Sequence, residues 1–114
     1  MKPDELIAAF IDVIREQNYV FDNDEIIKDI PLLQEKLTAL ENNLSSESLA
    51  ETIREWYLNH ESVRDAILVT EREIKKVKKA NPASQENTIE NRYRIINDEL
   101  EKIADKNQKS SQKS

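Results

Sequence analysis

Apolar positions in this chain fall at three- and four-residue intervals, the spacing of one helical face. Leu6, Ile7, Phe10, Ile11 and Ile14 line a first helix, predicted from about Pro3 to Gln17. Pro3 fits a helix start, and Asp4 and Glu5 suit its positive N-terminal end. The stretch NYVFDND breaks the pattern, with Tyr19 and Phe21 predicted to plug the core from a turn. Asp22 or Asn23 then caps a short helix around Asp24 to Lys28. Pro31 disfavours a helical Ile30 and suits the first turn of a new helix, so the reading places a break there. From Pro31 onward Leu33, Leu37, Leu40 and Leu44 share a face.

Ser45 or Ser46 is placed to cap the next helix, whose buried stripe is Leu49, Ile53, Trp56 and Tyr57. Asn59 to Ser62 reads as a tight corner, with Ser62 and Asp65 spaced like a capping box. Neither proline nor glycine enforces that corner, and a continuous helix from Ser46 to Lys79 is the alternative. Two narrow seams follow. Val63, Ile67, Thr70, Ile74 and Val77 form one, and Ile89, Tyr93, Ile96, Leu100 and Ile103 the other. Pro82 ends the first seam's helix, and Asn87 with Glu90 is placed to cap the second. A short link between two such seams predicts a C-terminal antiparallel helical hairpin. The tail from Asp105 has no apolar residue and is expected to be disordered, which gives a helical domain over 1–104 and a polar tail over 105–114.

Composition sharpens this picture mainly through what is missing. The 114 residues include no glycine, which removes phosphate-cradling loops and the common two-residue hairpins and argues against a β-rich fold. The expected fold is therefore all-α, a single four- to five-helix bundle. With no cysteine there is no disulfide, thiolate nucleophile or zinc–cysteine site. The apolar runs are too short to span a bilayer, and the acidic N-terminal stretch does not resemble a secretory signal, so a cytoplasmic location is expected. The net charge of −6 is unevenly spread: residues 1–60 carry 5 basic and 13 acidic side chains (−8), and residues 61–114 carry 12 and 10 (+2). The acidic half disfavours non-specific binding to nucleic acid or to an anionic membrane.

Candidate chemistry is sparse. His60 is the only histidine and lacks the partners that a metal site or catalytic dyad requires, so it is assigned a structural place at the corner. The carboxylate clusters at Asp22, Asp24 and Glu25 and at Asp98, Glu99 and Glu101 lack the glycine of a calcium loop and the histidine of a helical di-metal site. They read as caps and solvated faces. No catalytic residue, metal or cofactor is assigned, and the chain is read as a non-enzyme. The basic run Arg72, Lys75, Lys76, Lys78 and Lys79 complements the negative end of its own helix. Lys75, Lys76, Lys78 and Lys79 are also the candidate phosphate contacts, although interleaved glutamates dilute them and no aromatic is placed for base stacking. Trp56 is expected to point inward and Tyr57 toward the edge.

The segment LAETIREWYLNHESVRDAILVTEREI, continued by KKANP, resembles the effector-associated, death-like adaptor domains of bacterial conflict systems. In that comparison Trp56 ends one helix, and His60, Val63 and Arg64 fall on a short corner before the next. The resemblance covers roughly residues 49–91 and transfers no functional residue. It implies a small helical module that joins protein subunits by like-with-like contacts. The expected function is thus protein–protein interaction or self-association, with Tyr57, Arg64, Arg72 and Tyr93 as candidate partner contacts. Two rival readings are a helical subunit of a CRISPR-type nucleoprotein complex and an acidic inhibitor or antitoxin using Asp22, Asp24, Glu25 or Asp29.

Overall fold

A computed structural model describes residues 2–76 and 88–113, with side chains described for 2–74 and 88–105. The described residues form five α-helices: α1 (Pro3–Glu16), α2 (Asp24–Thr38), α3 (Ser46–Tyr57), α4 (Glu61–Lys76) and α5 (Ile89–Lys113). Two 3-10 turns, Asn18–Phe21 and Glu41–Asn43, follow α1 and α2. Among the described residues there is no strand, and no helix is long and apolar enough to cross a membrane.

The first helix is the hub. Leu6, Ile7, Ala9, Phe10, Val13 and Ile14 are all buried, an apolar face too wide to be covered by one neighbour. Accordingly α1 packs against α3, α4 and α5, and α2 closes the bundle against α3 and α5. The predicted seams point inward: Val63, Ile67 and Thr70 of α4 are buried, as are Ile96 and Leu100 of α5. The main contacts of α4 are with α1, and those of α5 are with α1 and α2.

Local signals account for most helix ends. Asn23 accepts a hydrogen bond from the Glu25 amide at 2.9 Å and caps α2. Ser45 and Ser48 form a reciprocal capping box at the start of α3. At α5 the Thr88 hydroxyl accepts from the Asn91 amide at 3.1 Å, so Thr88 serves as the cap. Asn87, expected in that role, lies outside the described residues, as does Val77 of the first seam.

Two sequence expectations are corrected. Pro31 does not start a helix; it sits inside α2, which runs unbroken from Asp24 to Thr38. Ile26 and Ile30 on one side of it and Leu33 and Leu37 on the other are all buried, and keeping that stripe in phase outweighs the hydrogen bond the proline cannot make. Tyr19 does not plug the core: Phe21 is buried from the same turn, while Tyr19 is 70 % exposed. Helix α5 continues to Lys113. That stretch holds no proline or glycine and is rich in lysine and glutamine, which favour helix.

Candidate functional site

The corner between α3 and α4 contains the sole histidine and the sole tryptophan. The chain turns there without glycine or positive φ. The amides of Asn59 and His60 bond to the carbonyls of Trp56 and Tyr57, tightening the end of α3, and Arg64 N–H donates to the His60 carbonyl to begin α4. The expected break near His60 is present, but Ser62 lies within the first turn of α4 rather than capping it. Asp29 of α2 fixes the corner in place. Its carboxylate lies 2.6 Å from His60 Nε2, and its backbone carbonyl accepts a hydrogen bond from Trp56 Nε1 at 3.1 Å. The Trp56 and His60 rings are 4.6 Å apart, Trp56 stacks on Phe21 at 6.3 Å, and Phe21 meets Phe10 edge-on at 6.2 Å. This aromatic ladder ties α1, the first 3-10 turn, α3 and the corner together. The His60 side chain is only 9 % exposed, so its partner inside the fold is Asp29.

The four residues predicted to contact a partner differ in exposure. Tyr57 is buried at 2 % exposure, so it is a core residue and not an edge residue. Burial and the nearby Glu71 charge push its phenol above the usual tyrosine range, with Arg54 and Arg64 opposing. Tyr93 is half-buried, and its hydroxyl donates to the Leu37 carbonyl at 2.7 Å, anchoring α5 on α2. Arg64 is partly exposed and pairs with Glu61 at 3.5 Å and Asp65 at 3.3 Å on its own helix. Arg72 is exposed on α4. Arg64 lies within electrostatic reach of Tyr57. Lys75 and Lys76 are the last residues of α4, and their side chains are not among those described; Lys78 and Lys79 lie outside the described residues.

The exposed surface has other features that the sequence reading passed over. Tyr19, Leu32, Leu58 and Val69 are 70, 45, 55 and 52 % exposed. Their signal was present in the spacing, because Leu32, Leu58 and Val69 fall off the buried stripes of their helices. Along the α1–α4 junction, Asp12 is held above the ordinary carboxylate range, by partial burial first and then by the charges of Glu16 and Glu73. Nearby, Gln17 Nε2 donates to the buried Thr70 hydroxyl at 3.0 Å. On the opposite flank of α1, Arg15 shares an open groove with Ile95, Asp98, Glu99, Glu101, Lys102 and Asp105 of α5. Charges of both signs line that groove. Among the described residues no group of three or more acidic or histidine side chains is placed to hold a metal ion.

In comparisons with known proteins, the chain matches no family model, no curated protein and no solved structure.

Proposed function

We propose that this chain is a non-enzymatic helical adaptor that recognises a protein partner through helix faces, in a bacterial defence or signalling setting of the kind its resemblance implies. The observation that supports this most is the set of large apolar side chains left outside a finished core. Phe10, Phe21, Trp56 and the inward Leu, Ile and Val residues fill the interior, yet Tyr19, Leu32, Leu58 and Val69 are presented to solvent. A few such residues on separate elements are ordinary. Their use as anchors follows from the energetics of interfaces, where a small number of well-buried apolar and aromatic side chains dominates binding. The uneven charge would orient the encounter, so association should weaken as salt rises.

The test is a chain carrying Tyr19→Ser, Leu32→Ser, Leu58→Ser and Val69→Ser, compared with the parent in capture from the native cell. All four positions are exposed, so the circular dichroism spectrum should be unchanged. The adaptor reading expects a stoichiometric protein partner with the parent and its loss with the variant. Equal capture by both chains would reject these side chains as the recognition surface.

A further inference from the structure

We propose that the edge where the first 3-10 turn meets α4 docks a basic amphipathic helix of a partner protein, with apolar side chains on Tyr19 and Val69 and lysines or arginines facing Asp12, Glu16 and Glu73. This rests on the adaptor reading and specifies the partner's chemistry. Two lines of residues converge at this edge. One follows α1 into the turn, through Asp12 and Glu16 one helical turn apart, then Gln17, then Tyr19. The other follows α4, where Val69 and Glu73 are also four residues apart and so lie on one face. The hydrogen bond from Gln17 to Thr70 joins the two lines, and the 3-10 turn packs against α4.

Charge complementarity selects the occupant. The carboxylates of Asp12, Glu16 and Glu73 come from two helices, and partial burial, followed by the charges of Glu16 and Glu73, raises the proton affinity of Asp12. Arg15 is directed away, into the groove with α5, and Arg64 is paired with Glu61 and Asp65. Among the side chains described, Arg72 is the basic residue on the outer side of α4 next to this edge, beside three acids. Tyr19 is more exposed than any other large apolar side chain described, and Val69 lies just outside the buried seam. An apolar strip bordered by acids matches a helix with an apolar face flanked by lysines, the helix-in-groove mode of recognition.

The experiment uses the full chain, isotopically labelled, titrated with a short synthetic leucine–lysine amphipathic helix and with its leucine–glutamate counterpart. The expected result is saturable binding of the lysine peptide alone, with amide shifts concentrated at residues 12–20 and 66–73. Tyr19→Ala with Val69→Ser should weaken it about tenfold or more, as should Asp12→Asn with Glu16→Gln and Glu73→Gln. A control with Glu35→Gln, Glu51→Gln and Glu55→Gln, all exposed on α2 and α3, should bind within about twofold of the parent. Equal weakening by this control would mean only diffuse attraction to an acidic protein and would overturn the proposal. Shifts centred elsewhere would also overturn it. Concentration-dependent self-association that requires Tyr19 and Val69 would replace the proposed partner with a second copy. If a partner captured from cells is kept by the Tyr19→Ala, Val69→Ser chain, this edge is wrong while the adaptor reading stands.

Discussion

Replacing Pro31 by alanine should stabilise the protein, which is the reverse of the usual effect of a substitution. Pro31 is the eighth of fifteen residues in α2 and is exposed, so the change removes no buried contact. Alanine would supply the amide that the proline lacks, allowing a bond to the Ile27 carbonyl, and would remove the clash of the ring with that carbonyl. In a helix interior the difference between proline and alanine is about 3 kcal/mol. The more flexible unfolded chain of the alanine variant takes back about 0.4–1 kcal/mol. A net gain of about 2 kcal/mol remains, which for a domain of this size raises Tm by roughly 10 °C. Urea and thermal unfolding followed by Trp56 fluorescence measure this directly, since Trp56 is the only tryptophan and is buried. If the chain instead broke at Pro31, the proline would occupy a first helical position, where its missing amide is harmless. The variant would then be neutral or slightly less stable, and the continuous α2 described above would be refuted.

Three further outcomes follow from named contacts. A double-mutant cycle on His60→Ala and Asp29→Ala should give a coupling of about 1.5–3 kcal/mol, because the bond is short, one partner is charged and His60 is nearly buried; coupling near zero would mean the corner is not held by this pair. Asp12→Asn should add about 0.2–0.5 kcal/mol at pH 7 by removing a partly buried charge and its repulsion from Glu16 one turn away and from Glu73. The sign follows from a folded-state pKa raised above 3.8: Asp12 favours the fold while protonated and loses that contribution as pH rises through its folded value. The benefit of asparagine should therefore disappear near pH 3 in denaturant titrations, and a benefit that grew on acidification would contradict it. Ser45→Ala removes one half of the capping box on α3 and should cost about 1 kcal/mol in urea unfolding; a neutral result would mean that Ser48 or solvent replaces the cap.

Much of this fold was legible from spacing. The stripe Leu49, Ile53, Trp56 and Tyr57 is buried as its periodicity implies, and the corner after it falls at the predicted place. Asn23 and Ser45 cap helices because short polar side chains at those positions satisfy free amides whatever packs around them. Legibility failed where tertiary packing overrode local preference. Pro31 reads as a helix start, yet a buried stripe on both sides carries the helix through it. Which neighbour receives a seam also cannot be read from that seam alone: Ile67 and Ile96 are both inward, and among the described residues both helices pack on α1. The clasp made by Asp29 links residues 31 positions apart and leaves no trace in local spacing. The burial of Tyr57, expected toward the edge, has a related reason. Aromatic type drew attention to Tyr57, whereas exposure depends on register, and the register puts Val69 and Leu58 outside.

The central claim is that this chain acts by binding protein, and capture of the full-length chain from its native cell with and without nuclease tests it most directly. The adaptor account predicts the same protein partner at the same stoichiometry in both samples, with retention falling as salt is raised. Partners that disappear on nuclease treatment would contradict it and would assign the function to the basic run around Lys75 and Lys76 instead.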